Sequence, residues 1–268
     1  MFGEDMDSKK IAVITGGASG IGLLILKRLI RNNYQVVVID RNREALNQLN
    51  DEFSQVKVIN CDLSNLEQVT EVCSKLNKEL SHIDLFFNNA GIVIGKALKD
   101  LSNEEIERSY RVNTISPMIL VRDLLALLEK AEKAKIINLS SASAFTGVPK
   151  LSDYAASKAA FYSFDESLRL ELKESKSKVS TLVVCPFYIN TGMFDGVKTR
   201  FSFLLPILEP NKVVNKIMHS IHKDHKRLIM PWFIYSVFLV KLLPVGLSDS
   251  LLSFFGINSS MKDFVGRK

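Results

Sequence analysis

The sequence predicts one α/β domain, built as a doubly wound, mostly parallel seven-stranded sheet with helices on both faces. Three observations point there. Short β-branched runs alternate with longer helical stretches along most of the 268 residues, the order expected of strand–helix–strand units. The runs are nearly continuously apolar, as strands covered on both faces require. No internal repeat, low-complexity tract or Gly/Ser linker divides the chain. A chain of this length can bury about three-quarters of its unfolded surface, so one core suffices.

In chain order, strands are expected over 10–15, 35–40, 56–61, 83–88, 135–140, 179–185 and 227–230. Helices are expected between them, over 21–32, 43–53, 66–80, 103–110, 117–133, 152–173 and 211–223. Two stretches break the alternation. Residues 186–210 carry Pro, Gly and aromatics without helical periodicity, and 232–257 are rich in Phe, Leu and Val but interrupted by Pro244 and Gly246. The organisation read from this is a polar tail (1–8), a main domain (9–231) that includes the loop 186–210, and an apolar C-terminal extension (232–268).

Composition excludes several classes. Hydrophobic residues make up 47% and charged residues 24%, which is ordinary for a globular protein and rules out disordered and collagen-like chains. The formal charge of +6 comes without a Lys/Arg block, so no nucleic-acid partner is expected. Cys61, Cys73 and Cys185 show no paired or zinc-ligand spacing. They read as thiols in a reducing, cytoplasmic setting, with Cys61 and Cys185 as small buried hydrophobes. The polar, acidic start predicts no signal peptide or membrane anchor ahead of the first strand. His219, His222 and His225 form an HxxHxxH series, but His225 drifts off the helix face of the other two. With no carboxylate or Cys to complete a ligand set, no metal is expected.

The first strand runs into Thr15-Gly16-Gly17-Ala18-Ser19-Gly20-Ile21-Gly22. Gly16, Gly20 and Gly22 allow a tight turn and close approach of a pyrophosphate to the positive end of the next helix. The second strand ends at Asp40, where a carboxylate accepts from the adenosine ribose hydroxyls and repels a 2′-phosphate. The cofactor expected is therefore NAD. NADP is less favoured, although Arg41 could reach a 2′-phosphate.

Tyr154 and Lys158 lie four apart within a helical stretch, so phenol and ammonium share a face. A nearby cation favours phenolate, and a phenolate could take an alcohol proton as hydride leaves for the cofactor. Ser140-Ser141 end the preceding strand at the ligand-binding edge of the sheet, where a hydroxyl can orient a substrate oxygen. Asn88-Asn89-Ala90-Gly91 end another strand at the same edge, and Asn113 lies in the helical stretch before Pro117.

Over about residues 9–231 these pieces together resemble the short-chain dehydrogenase/reductase superfamily, a Rossmann fold. The matching segments are the TGGASGIG loop, Asp40, Cys61-Asp62-Leu63, NNAG at 88–91, Asn113, Ser141 and YAASK at 154–158. The resemblance implies that Ser141, rather than Ser140, is catalytic, with Tyr154 as acid/base. Lys158 would bind the ribose and tune the tyrosine, and Asn113 would hold a water in the proton relay. Asp62 would meet the adenine amino group and Thr191 the nicotinamide carboxamide. Further cofactor contacts are implied for Ser19, Ile21, Leu63, Asn89, Ala90, Gly91 and Pro186. The family usually has Pro-Gly after the sixth strand. This chain has Pro186-Phe187, and the Phe is expected to crowd the loop near the nicotinamide.

Residues 185–196, 204–210 and 261–265 resemble one branch of that family, the epidermal-type retinol dehydrogenases and their 17β-hydroxysteroid dehydrogenase relatives. That likeness implies a retinoid, steroid or long-chain alcohol substrate, self-association, and contact with endoplasmic reticulum or lipid-droplet membrane. The residues agree with a greasy substrate. Phe187, Tyr188, Met193, Phe194, Phe201 and Phe203 could form a lid over an apolar pocket. The stretch 233–255 is too interrupted to span a bilayer and reads as two helices at the active-site mouth or in a membrane interface. Two alternatives remain: an NADPH-dependent reductase of 3-oxoacyl or 3-keto lipids, and a catalytically silent nucleotide-binding scaffold on a lipid surface.

Overall fold

The structure is a computed structural model and describes residues 9–266; the expected N-terminal tail lies outside them. Seven strands form one sheet in the order β3-β2-β1-β4-β5-β6-β7. They are β1 (Ile11–Thr15), β2 (Gln35–Asp40), β3 (Val56–Asn60), β4 (Leu85–Asn88), β5 (Lys135–Leu139), β6 (Ser180–Pro186) and β7 (Arg227–Met230). Every neighbouring pair is parallel. The strand order reverses between β1 and β4, which opens a crevice at their carboxyl ends.

Alternation of side chains sends successive strand residues to opposite faces. Val13, Val37, Phe86 and Ile136 pack on one side against α3 (Leu66–Glu79), α5 (Ser116–Glu129) and the end of α6 (Ser152–Glu174). Ile14, Val38, Phe87 and Ile137 pack on the other against α1 (Gly20–Arg31) and α7 (Pro210–His222). Local chemistry sets where helices begin. The Asn42 side chain caps α2 (Arg43–Glu52), Asn65 caps α3, and Ser102 with Glu105 forms a reciprocal capping box on α4 (Asn103–Tyr110), each satisfying backbone N–H groups that lack a helical partner.

The helical expectations before Pro117 need one correction. Residues Arg111–Ile115 form a single π turn that joins α4 to α5 without a break. Such one-turn bulges often occur at functional sites, and Asn113 sits at the centre of this one. His219 and His222 lie in the last turn of α7, and His225 follows it with its ring 6.2 Å from that of His219. Cys61, Cys73 and Cys185 are buried free thiols.

After β7 the chain makes a 3₁₀ turn, Trp232–Tyr235, then two short helices, α8 (Ser236–Val240) and α9 (Val245–Phe254). Pro244 starts α9 as its N-terminal flanking residue. No helix among the described residues is long and apolar enough to cross a membrane.

Candidate active site

The glycine loop is held in place by side chains from β4 and β1. Gly16 adopts φ +66°, and its N–H donates to the Ile39 carbonyl at 2.8 Å. A Cβ on Gly22 would sit 2.1 Å from the Gly16 carbonyl oxygen, so the helix start and the loop touch through bare backbone. Asn89 Nδ2 donates to the carbonyls of Thr15 and Gly16, both at 2.9 Å. Thr15 Oγ1 accepts from the Asn89 and Ala90 N–H groups at 3.0 and 3.1 Å. Thr15 therefore clamps the NNAG turn to the loop. The only sequence signal for this role was its place at the end of an apolar strand.

Asp40 closes the loop from below. Its carboxylate accepts from the N–H groups of Ala18 and Asn42 at 3.1 and 3.0 Å, which aims it across the crevice mouth. Asp62 accepts from both N–H and Oγ of Ser64. Burial pushes the Asp62 carboxyl up, but the Ser64 bonds, Arg41 and Arg108 outweigh it and hold the group below its usual range. No acidic residue lies in the first turn of α1, leaving the positive helix end open to an anion.

The crevice runs on as one cavity. It passes Gly16, Ser19, Gly20, Ile21, Asp40 and Asp62–Leu63, then Asn89–Gly91, and reaches Ser141, Tyr154, Lys158, Pro186 and Thr191. Every expected cofactor residue except Gly22 faces it; Gly22 lies behind the loop and shapes it. These residues fit a dinucleotide. They supply a polar trough for adenosine at Asp40 and Asp62, a bare-backbone loop at a helix start for the pyrophosphate, and a hydroxyl, phenol and ammonium at the far end.

At that far end Ser141 hydrogen-bonds Tyr154 and accepts from the Ser143 N–H at 3.1 Å. Ser140 lines the cavity too, but it donates its hydroxyl to the Lys158 carbonyl at 2.8 Å and so braces α6. Lys158 Nζ donates to the Leu139 carbonyl at 2.9 Å and lies 6.0 Å from the centre of the Tyr154 ring. Burial lowers the Lys158 ammonium to about 8. It keeps most of its charge at neutral pH.

Burial raises the Tyr154 phenol well above its usual value, with the Ser141 bond only partly offsetting it. The Lys158 ammonium lies beside the Tyr154 ring while it donates to the Leu139 carbonyl. The Asn113 side chain bonds protein groups: Oδ1 accepts from the Ile92 N–H, and Nδ2 donates to the Ile92 carbonyl and to Ser157 Oγ. Ser157 Oγ in turn donates to the Tyr154 carbonyl at 2.8 Å. Asn113 thus pins the π turn and the start of α6 to one another.

A buried polar ladder beneath the site, absent from the sequence reading, fixes α6 to the sheet. Asn88 donates to Asn138, Asn138 donates to Asp165, and Thr181 donates to the other Asp165 oxygen. Burial raises the Asp165 carboxyl to about 6.

The loop after β6 brings aromatic side chains to the cavity. Phe187 packs on Tyr188 with ring centres 4.5 Å apart. Thr191 stays beside the glycine loop, 3.6 Å from where a Gly20 Cβ would lie. Phe194 meets the Tyr154 ring edge-on at 5.9 Å. Phe187, Tyr188, Met193 and Phe194 line the cavity. Phe201 and Phe203 do not: Phe201 packs on Phe254 and Phe255, and Phe203 is exposed. In their place the extension supplies Phe233, Val237, Val240, Leu252 and Phe255. The last residues strap this loop down. Met261 is buried against Tyr154 and Tyr188, Ser260 hydrogen-bonds Tyr188 Oη at 3.0 Å, and Val265 N–H donates to the Asp195 carbonyl at 2.9 Å.

The short chain dehydrogenase family model matches residues 10–200. The chain belongs to this family. It is an NAD(P)-dependent dehydrogenase/reductase of the retinol dehydrogenase branch. Epidermal retinol dehydrogenase 2 of Mus musculus is 34% identical over 270 residues, covering 97% of this chain and 86% of that protein. Short-chain dehydrogenase/reductase family 16C member 6 of Bos taurus is 32% identical over 266 residues, covering 97% and 84%. Among solved structures, a short chain dehydrogenase/reductase from Burkholderia phymatum in complex with NAD superposes with a TM-score of 0.76 at 24% identity, covering 90% of this chain and 95% of that one. One from Burkholderia cenocepacia in complex with NADP gives 0.73 at 22%, covering 92% and 97%. These two share the fold of the dehydrogenase and carry different cofactors.

Proposed function

We propose that this dehydrogenase uses NAD to interconvert a lipophilic primary or secondary alcohol, of the retinoid, steroid or long-chain lipid class, and its carbonyl compound. One observation carries the reading: Tyr154 and Ser141 stand where the polar cofactor trough meets a cavity walled by Phe187, Phe194, Phe233, Val237 and Leu252. An apolar wall accepts hydrocarbon, and the two hydroxyls are the polar groups placed to fix one substrate oxygen. Relatives that are retinol dehydrogenases by name agree with such a substrate.

NAD, when bound, supplies the hydride acceptor. The remaining steps belong to the chain. Ser141 holds the substrate oxygen. In the reducing direction Tyr154, whose phenol burial keeps protonated, donates its proton to that oxygen as hydride arrives. In the oxidising direction Tyr154 takes the alcohol proton, which requires a cation to lower the phenol; Lys158 is the buried ammonium nearest to it. Asp40 would accept from the ribose hydroxyls, and its charge disfavours a 2′-phosphate.

The test is steady-state turnover of retinol, a hydroxysteroid, a long-chain alcohol and ethanol with NAD and with NADP, in wild type, Tyr154→Phe and Asp40→Ala. Turnover of lipophilic alcohols with NAD, reduced about 10²–10⁴-fold in Tyr154→Phe, is expected. Asp40→Ala should lose the preference for NAD. Activity on ethanol alone would overturn the substrate class. A preference for NADP would show that Arg41, which also faces the cavity, outweighs Asp40, and would favour the 3-keto lipid reductase.

A further inference from the structure

The extension after β7 has two apolar faces. One lines the cavity through Val237, Val240, Leu252 and Phe255. The other is turned to solvent: Trp232 is 76% exposed, Leu239 69%, Leu242 82% and Val245 76%, with Leu247 and Phe254 also exposed. Isolated exposed apolar residues are ordinary, but a contiguous run of them marks an interaction surface. Only the thickness of α8 and α9 separates the two faces.

We infer that residues 232–255 dock the dehydrogenase on an anionic lipid bilayer, and that its lipophilic substrate passes from the bilayer past α8 and α9 into the cavity. The second half of this inference rests on the substrate class proposed above; the first half does not.

Chemistry favours a bilayer over a protein as the occupant. The surface is a 3₁₀ turn and two short helices that meet at exposed Pro244. Trp232 and Tyr235 are the amphipathic aromatics that settle at headgroup depth. Lys241 is exposed in the middle of the run. At its edge the Arg200 guanidinium stacks on Phe254, 5.2 Å from the ring centre, and donates to the Phe254 carbonyl. Between Trp232 and Phe255 the only acidic residue is Asp249. Cations framing an apolar face suit an anionic headgroup layer. The ten residues of α9 reach about 15 Å, half of the roughly 30 Å hydrocarbon core, so the helices lie in the interface and do not cross it.

Flotation of the full chain with phosphatidylcholine vesicles, with and without phosphatidylserine, tests the docking. Wild type should float with the anionic vesicles. The triple variant Leu239→Glu/Leu242→Glu/Val245→Glu should lose more than about a hundredfold in vesicle affinity, since three leucine-sized side chains forfeit their burial. Lys241→Glu should lose about tenfold on anionic vesicles only. Cofactor affinity and melting temperature of all variants should match wild type, because these side chains are exposed. Turnover of a long-chain alcohol dissolved in vesicles should fall in the triple variant, while turnover of the same alcohol on cyclodextrin should hold. Wild type that stays with the dense fraction, or a triple variant that floats with it equally, overturns the docking. So does a wild-type dimer that the triple variant splits, which would make this face a subunit contact. If vesicles bind but no lipophilic alcohol turns over from either carrier, the docking stands and the substrate class and the entry route fall.

Discussion

The two ends of the cavity are built by different rules. The cofactor end rests on β1, β2 and β4, and its parts are backbone and short polar side chains. The substrate end rests on the loop after β6, α8, α9 and the final strap, and its parts are aromatic and aliphatic side chains. At the cofactor end each residue has one geometric duty. A Cβ on Gly22 would overlap the Gly16 carbonyl, and the Asn89 amide is spent on two carbonyls. At the substrate end the surfaces are held by packing, which depends on volume and tolerates exchange of one apolar residue for another. A rigid half thus presents the hydride carrier, and a replaceable half selects what meets it.

Substitutions can break or sharpen that contrast. The largest effect is expected where the halves join. Lys158→Met should cut kcat/KM about 10²–10⁴-fold. It should also stabilise the ligand-free protein at pH 7 by about 1–3 kcal/mol, because burial holds the Lys158 ammonium at about 8 against 10.5 and the variant removes that penalty. The sign follows from the lowered value: below about pH 8 the buried cation is charged and costs stability, and the cost fades as pH rises from about 8 to 10.5. Urea unfolding at pH 7 and pH 10 should show the gain shrinking. Unchanged stability at both would mean that the ammonium is solvated.

Met261→Ala should come next. Its side chain is buried against Tyr154 and Tyr188, so a loss of about 2–5 kcal/mol is expected. Isothermal titration should find NAD affinity within about twofold of wild type, since the strap serves the substrate end. A large change in NAD affinity would show that the two ends are coupled. Gly22→Ala should do the reverse at about 1–3 kcal/mol, weakening cofactor binding about tenfold to a hundredfold and leaving the 186–200 loop intact to limited proteolysis. The smallest effect belongs to Phe203→Ser. At 79% exposed the ring supports little, and thermal melting should shift by less than about 0.5 kcal/mol in stability.

The cofactor half was legible in the sequence because its signals are local. A strand that ends in glycines, an acid that ends the next strand, and Tyr–Lys at helical spacing each declare a backbone or side-chain duty within a few residues. The sheet followed from apolar alternation for the same reason. The choice of Ser141 over Ser140 needed either a family resemblance or the fold, because neighbouring residues on a strand differ only in the face they present. Asn138 and Asp165 gave no signal at all, and Thr15 only its place at the end of an apolar strand, since each acquires its role from partners far along the chain.

The sequence by itself determined the parallel sheet, the glycine loop between strand and helix, and the tyrosine and lysine that share a helix face, because periodicity and glycine placement act over short range. Only the tertiary structure decided which aromatics wall the cavity, that Phe201 and Phe203 leave it, that residues 232–255 turn one face inward and one outward, and that burial sets the charge of Tyr154 and Lys158. Burial is a sum over residues brought together from the whole chain, and no local pattern carries that sum.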